Sequence, residues 1–292
     1  MAGWDRILQE IQSTPGSYEA VRLKYLQNLY KYTGRNIIAY YSSFLFKPTA
    51  RNIDINDSDM TGFMNALQNI DSSKGLDLIL HTPGGNPTAA ESIVKYLRAK
   101  FNNDIRVIVP HMAMSAGTMI ACCGSCIIMG KHSSLGPVDP QINGIPAYDI
   151  VRMYLDAKRE ISSGQSSITY WKLLLDRYPA PFIYTAASAI TLSSTLVKEW
   201  LGTCMFDANT DRDKIDKIAN KLNEHASSKL HNRHFDISYC KKIGLKIQDL
   251  EADQYLQDAV LSLHHAYMLT TEHTKLVKII ENQNGKAFIV IQ

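Results

Sequence analysis

The chain of 292 residues lacks any long hydrophobic run. No apolar stretch approaches the roughly 18–20 residues that a helix needs to span a bilayer. The N-terminal residues MAGWDRILQE carry a charged pair, Asp5 and Arg6, and no apolar core of a secretory signal follows. These absences predict a cytoplasmic protein without a membrane span.

Cysteine is also scarce, with five residues in the whole chain: Cys122, Cys123, Cys126, Cys204 and Cys240. Their odd number and their lack of a framework spacing argue against a disulfide scaffold. Cys123 and Cys126 form a C-x-x-C pair, but no second pair and no suitably spaced histidine follows it. The pair therefore indicates buried free thiols rather than a zinc site.

No block of like charge and no nucleotide-binding motif is present. The net charge is only +3, which gives no reason to expect a nucleic-acid partner. The sequence contains no G-x-G-x-x-G, no phosphate loop and no metal-spaced cluster, so we expect neither an organic cofactor nor a metal. Hydrophobic residues make up 45% and charged residues 20%, as in ordinary soluble globular proteins.

Short apolar runs instead alternate with helical patterns. Apolar runs predict strands at residues 37–44, 76–81, 105–110 and 126–130, with helices at 57–69 and 89–101 between them. Before these elements, apolar residues recur with helical spacing in two stretches of residues 4–32, which predicts two helices. After Pro146 the pattern is mostly helical, at residues 148–161, 168–177, 186–201, 211–222, 237–243 and 253–273, with a last strand at 287–291. This order predicts an α/β fold with a parallel sheet.

Two clusters of small residues lie at the carboxyl ends of predicted strands, where sites of α/β sheets gather. Gly84 and Gly85 end the strand at 76–81, and Ser115 follows the strand at 105–110 within AMSAG. A serine nucleophile needs a base and a means to stabilise the oxyanion. Exposed N–H groups of Gly85 and Ala116 would stabilise the oxyanion. Ser115 is therefore the candidate nucleophile, although such triplets often serve close packing alone.

Three segments carry a resemblance to a known family. TPGGNPTAAESIVKYLR, VIVPHMAMSAGTMIA and MGKHSSLGPVDPQI resemble the serine dehydrogenase proteinase family, whose distant relatives are the Clp protease subunit and the signal peptide peptidases. The resemblance implies a ClpP/crotonase-like spiral of ββα units with additional C-terminal helices. We divide the chain into an N-terminal helical extension, residues 1–35, and a serine peptidase domain with a helical C-terminal part, residues 36–292.

The resemblance also implies a function and partners. It predicts an intracellular serine endopeptidase that cleaves a protein or peptide substrate and forms a homo-oligomer. It leaves open whether an activating partner protein is required.

The family is described as using Ser, Asp and His in that order along the chain, as α/β-hydrolases do. Asp139, in GPVDPQ, matches the family's Asp, and His231 falls where its His is expected, with His234 as the alternative. The Clp order does not transfer, because Gly136 occupies the position of the Clp histidine. Each candidate also has a simpler interpretation, since Asp-Pro often starts a turn and a lone histidine usually lies in a surface loop.

Four other interpretations remain open. A Ser–Lys dyad would need Lys158 or Lys172 as its base, but Lys158 lies in the charged run DAKRE, where a lysine stays solvated and protonated. A crotonase-type acyl-CoA enzyme would use the same fold and oxyanion hole. An α/β-hydrolase would fit the residue order, but the first Gly of G-x-S-x-G is missing. A catalytically inactive scaffold would keep the fold alone.

Overall fold

A mixed α/β architecture is present in the computed structural model, which describes residues 3–164, 168–176, 178, 181–223 and 233–292. Within these residues a seven-stranded sheet is surrounded by eleven α-helices. The predicted α/β class is confirmed. No described helix is both long and apolar enough to cross a membrane.

The strands of the central sheet are mostly parallel. In chain order the strands are β1 (Asn36–Ser42), β2 (Leu76–His81), β3 (Ile105–Val109), β4 (Met112–Ala113), β5 (Cys126–Met129), β6 (Ser134–Leu135), β7 (Gln141–Ile142), β8 (Ile145–Pro146), β9 (Ile247–Asp249), β10 (Leu276–Asn282) and β11 (Ala287–Ile291). The central sheet has the order β11-β10-β1-β2-β3-β5-β9. Strands β1, β2, β3, β5 and β9 run parallel, whereas β10 and β11 form an antiparallel hairpin at one edge.

The helices include all the predicted ones, most of them with shifted ends. They are α1 (Trp4–Ser13), α2 (Ser17–Thr33), α3 (Asp59–Ala66), α4 (Pro87–Phe101), α5 (Ala116–Ala121), α6 (Ala147–Ser162), α7 (Ile168–Leu175), α8 (Phe182–Trp200), α9 (Arg212–Asn223), α10 (Ile237–Ile243) and α11 (Gln254–His273). Their ends follow local capping: the Asn86 side chain accepts a hydrogen bond from the N–H of Thr88 at the start of α4.

Helices cover both faces of the sheet. We call one face of the sheet the α5 face. On it, Ile38 and Tyr40 of β1 pack beneath helices α3, α4, α5, α8, α9 and α10. Ile37, Ala39 and Tyr41 point the other way and pack beneath α1, α2 and α11, the α11 face. This alternation is the period of two that side chains follow along a strand. Strands buried on both faces read as continuous apolar runs, which is why they could be predicted.

Strand β10 has no counterpart among the predicted strands. Lys278 and Glu281 interrupt its apolar pattern, yet both side chains are fully buried and paired. A charge within an apolar run usually indicates a solvated position. Here each charge has a partner in the protein, and the strand therefore lies inside the sheet between β1 and β11.

A second, smaller layer lies at the carboxyl ends of β2, β3 and β5. Strand β4 pairs in parallel with β6, Thr82 forms a parallel bridge with Ala113, and Leu135 bridges Phe235. Each of these three strands is thus followed by a short extended segment in the second layer. This layer carries the residues around Ser115.

Candidate active site

Ser115 lies at a sharp corner between β4 and α5. Its backbone angles, φ 49° and ψ −114°, fall in a region that residues other than glycine rarely adopt. The residue directly precedes α5, and its carbonyl oxygen accepts a hydrogen bond of 3.1 Å from the N–H of Met119. A strained strand-to-helix corner is the geometry that exposes the nucleophile in α/β-hydrolases.

The corner is fixed against the end of β2. The N–H of Met114 donates to the carbonyl of Thr82, and the N–H of Thr82 donates to that of Met112, both at 3.0 Å. A Cβ at Gly117 would lie only 2.5 Å from the Thr82 Cγ2 atom. Only glycine at position 117 allows α5 to approach this closely.

Gly84 and Gly85 form a turn that cannot accept side chains. Their φ angles are 101° and 146°. The neighbouring segment clamps them, because the N–H of Ile55 donates to Gly84 at 2.7 Å and the N–H of Asn86 donates to Ile55 at 2.8 Å. A Cβ at Gly85 would lie 2.4 Å from backbone atoms of Ile55. The turn therefore holds the backbone of Gly85 in one orientation at the cleft.

Two backbone donors beside Ser115 have no protein acceptor. Across the described part of the chain, the N–H groups of Gly85 and Ala116 donate no hydrogen bond, and the Ser115 hydroxyl makes none. All three residues line one cleft. Unpaired N–H groups beside a hydroxyl are the elements of an oxyanion hole.

The cleft has a volume of about 290 Å³. Its described lining contains two carboxylates, Asp54 and Asp139, and no lysine, arginine or histidine. Burial raises the pKa of Asp54, and the positive charge of Lys278 opposes this shift. The lining residues are Asp54, Pro83, Gly85, Pro87, Ser115, Ala116, Met119, Val138, Asp139, Pro140, Gln141, Ala189 and Ser193.

Asp139 is 2% exposed and lies on a loop that is anchored to α5. The Thr118 hydroxyl donates to the carbonyl of Ala113 at 2.8 Å and accepts from the N–H of Gly136 at 2.9 Å. Tyr148 lies near Asp139. Burial raises the pKa of Tyr148, and the negative charge of the Asp139 carboxylate raises it further. The structure thus brings Asp139 to the same cleft as Ser115.

The histidine candidates are placed differently. His231 lies outside the described residues. His234 is exposed, and its Nδ1 atom lies 3.0 Å from the Ser134 hydroxyl, with no hydrogen bond to Ser115. His81 and His111 stack at the carboxyl ends of β2 and β3 with ring centroids 5.5 Å apart. Burial, and then the neighbouring His111, lower the pKa of His81 to about 3.

The remaining alternatives have less support from the geometry. Lys158 and Lys172 are exposed on α6 and α7 and do not line the cleft. In the residues that the structure describes, no group of His, Cys, Asp or Glu side chains is arranged to hold a metal ion. All five cysteines carry free thiols.

Comparison with known protein families shows which family the chain belongs to. The family model of the ClpP-like SDH-type serine proteinases matches residues 17–283. The chain belongs to this family. The matched residues contain every strand of the central sheet except β11, together with the Gly84–Gly85 turn and the Ser115 corner.

Two uncharacterized proteins of Methanocaldococcus jannaschii are similar to this chain. One is 46% identical over 105 residues, which cover 36% of each chain. The other is 28% identical over 231 residues, or 77% of this chain and 71% of the relative. The chain thus aligns with only about a third of the first relative's length.

Two residues of the cleft region were missed by sequence reasoning. Asp54 belongs to no motif, and it reaches the cleft because Ile55 bridges Gly85 in parallel. Lys278, which contacts the same segment, lies in the strand that was not predicted. Only the three-dimensional pairing of these segments identifies them.

Proposed function

We propose that this protein is an intracellular serine endopeptidase in which Ser115 is the nucleophile. The observation that carries the proposal is the Ser115 hydroxyl beside two unpaired N–H groups, in a chain of a serine proteinase family. The Ser115 Oγ atom attacks the scissile carbonyl carbon while a base takes its proton. The N–H groups of Gly85 and Ala116 bind the oxyanion that forms.

The base completes the cycle. It returns the proton to the amine that leaves, and an acyl-enzyme remains on Ser115 until water hydrolyses it. We assign this role to His231, or to His234 if His231 does not serve. Asp139 orients the imidazole and stabilises its charged form, and its burial at the cleft supports this assignment.

The details of the fold, the division of the chain, the substrate and the assembly state belong to the same proposal. The second layer formed by Thr82, β4 and β6 supports a ClpP/crotonase-like spiral of ββα units. We propose residues 1–35 as a helical extension and residues 36–292 as the peptidase domain. The substrate is a protein or peptide, the chain forms a homo-oligomer in the cytoplasm, and the reaction uses no cofactor.

A labelling experiment tests the nucleophile. A fluorophosphonate probe should label the wild type, and Ser115→Ala should abolish both labelling and casein cleavage. Ser125→Ala is the matched control, because the Ser125 hydroxyl donates to Ile105 at the opposite end of the strands. Labelling or cleavage that survives in Ser115→Ala would refute the proposal.

A second assay separates the acyl-CoA and scaffold alternatives. An acyl-CoA enzyme of this fold would bind acetyl-CoA saturably, and this binding would survive in Ser115→Ala. A scaffold would show neither labelling nor turnover in any assembly state. Labelling at Ser115 without acetyl-CoA binding supports the peptidase.

A further inference from the structure

Lys278 is a buried lysine near the cleft. Its side chain on β10 is 0% exposed, and its Nζ atom lies 2.7 Å from the Asp59 Oδ1 atom. The same ammonium group donates to the backbone carbonyl of Asp54 at 2.6 Å. Burial lowers the pKa of Lys278, and the Asp59 carboxylate opposes this shift. A buried cation is tolerated only when it is well paired, and here one of its acceptors is a loop backbone.

The partners of Lys278 hold the same loop from a second side. The Asp59 Oδ2 atom accepts hydrogen bonds from the Tyr40 hydroxyl at 2.8 Å and from the N–H of Asn56 at 3.1 Å. The Ser42 hydroxyl donates to the carbonyl of Ile53 at 2.7 Å. Side chains from β1, α3 and β10 thus fix residues 53–56, which we call the clamp segment.

The clamp segment contacts the turn that presents the Gly85 N–H. Ile55 hydrogen-bonds on one side to Gly84 and on the other to Asn86. The backbone of Ile55 lies so close to Gly85 that any Cβ there would overlap it. A shift of the clamp segment must therefore move the Gly84–Gly85 turn.

We propose that Lys278 is a positioning residue for the oxyanion hole. Its ammonium group fixes the clamp segment, and Ile55 passes this constraint to the N–H of Gly85. The inference rests on the proposed peptidase function. Lys278 does not line the cleft and therefore acts only through the clamp segment.

The same strand supplies a matched control. Glu281 is 1% exposed and pairs with Arg22 at 3.0 Å. Its Oε2 atom also accepts from the Tyr267 hydroxyl at 2.8 Å. This second buried ion pair lies on the α11 face and contacts no residue of the clamp segment or the cleft.

The first experiment compares Lys278→Met with Arg22→Met. Both changes remove a buried cation, so both should lower the melting temperature. Lys278→Met should lower kcat and the rate of fluorophosphonate labelling by about 10- to 100-fold with KM within about twofold, since an oxyanion donor alone can account for about 10²–10³-fold. Arg22→Met should leave kcat of the folded protein within about twofold. Equal kcat in the two variants would overturn the proposal.

A double variant separates positioning from stability. Lys278→Met combined with Asp59→Asn removes both charges but keeps a side-chain oxygen at position 59 that can accept from the N–H of Asn56, so it should regain part of the melting temperature that Lys278→Met loses. The backbone carbonyl of Asp54 still lacks its donor, so kcat should stay low. Recovery of kcat together with the melting temperature would reduce Lys278 to a purely structural role.

Hydrogen exchange gives a readout that needs no activity. The N–H of Asn86 donates to Ile55 and reports directly on the clamp segment. Its exchange in Lys278→Met should be at least about tenfold faster than in Arg22→Met, with the amide of Ile79 in β2 as the internal reference. Unchanged exchange would overturn the positioning role. A wild type that no probe labels would instead refute the peptidase, while the exchange would still decide whether Lys278 fixes the segment.

Discussion

The two faces of the central sheet are both apolar, but the segments that cover them differ in backbone conformation. On the α11 face, long regular helices cover the sheet, and Tyr41 stacks on Tyr267 with ring centroids 4.2 Å apart. On the α5 face, Ser115, Gly84 and Gly85 all have positive φ angles, and backbone N–H groups are left without acceptors. The cleft thus brings a strained corner and unpaired donors together at one site, where the packed surroundings hold them in place.

The two buried ion pairs of β10 show the same contrast. Arg22 and Glu281 connect β10 to helices of the α11 face, where Arg22 also donates to the Thr270 hydroxyl. Lys278 instead holds the carbonyl of a loop that supports the cleft. A buried ion pair therefore stabilises helix packing on the α11 face and, in our proposal, another stabilises the geometry of the site on the α5 face.

The largest effect should come from the base. His231→Ala should lower casein cleavage by roughly 10⁴-fold or more, because the nucleophile then has no group to take its proton. His234→Ala should cost far less, and Lys158→Ala should leave cleavage near the wild-type rate. Cleavage rates of the three purified variants decide among these assignments. Loss in His234→Ala alone would transfer the role to His234, and loss in Lys158→Ala alone would indicate the dyad.

The next effect concerns two glycines that share a positive φ. Gly85→Ala should lower kcat by about 10²–10³-fold, because the new Cβ would overlap the backbone of Ile55 and displace an oxyanion donor. At Gly34, φ is 68° and nothing lies within 4 Å of an added Cβ. Gly34→Ala should therefore cost only about 1 kcal/mol of stability and leave kcat unchanged. Equal kcat in both variants would contradict the assignment of Gly85.

On the α11 face, a core deletion should affect stability without affecting the site. Leu26 is fully buried in α2. Leu26→Ala should lower the free energy of unfolding by about 2–5 kcal/mol, since it removes a packed side chain and leaves a cavity. Urea unfolding measures this loss, and fluorophosphonate labelling of the folded fraction should stay within about twofold of wild type. A large loss of labelling would show that the two faces are coupled.

The smallest effect is a dependence on pH. The pKa of His81 is about 3 in the folded protein, far below that of an exposed imidazole, near 6.5. As the pH falls below about 6.5 the unfolded chain binds a proton that folded His81 does not, so stability declines until the pH approaches 3. His81 contributes up to about 1.4 kcal/mol per pH unit. Urea unfolding between pH 7 and 4.5 should show a shallower decline of stability in His81→Leu than in the wild type, and equal slopes would contradict this role of His81.

Much of the fold could be predicted because parallel strands buried on both faces form unbroken apolar runs. The strands at 76–81 and 287–291 and the helix at 237–243 have the predicted bounds. Strand β10 could not be predicted, since the partners that neutralise Lys278 and Glu281 are distant in the sequence. Helix α8 begins at Phe182 rather than 186, because Pro181 is tolerated just before a helix.

The candidate site could be predicted only where local sequence determines it. Ser115, Gly85 and Ala116 follow strands that lie side by side, so their gathering follows from the strand order. Asp54 reaches the cleft through one bridge between distant segments, which leaves no periodic pattern. The assignments of Asp139 and His231 as partners of Ser115 rest on the resemblance and stay predictions.

The position of β10 has a consequence for how the protein is made. The Lys278 ammonium group and the Asp54 carbonyl are 224 residues apart in the chain. A ribosome that adds about 5–20 residues per second needs roughly 10 to 45 s between these two residues. For most of that time the nascent chain contains Ser115 and both glycines, but β10 and its lysine do not yet exist. In our proposal, the cleft therefore cannot take its final geometry until Lys278 has been made and has paired with Asp59 and Asp54.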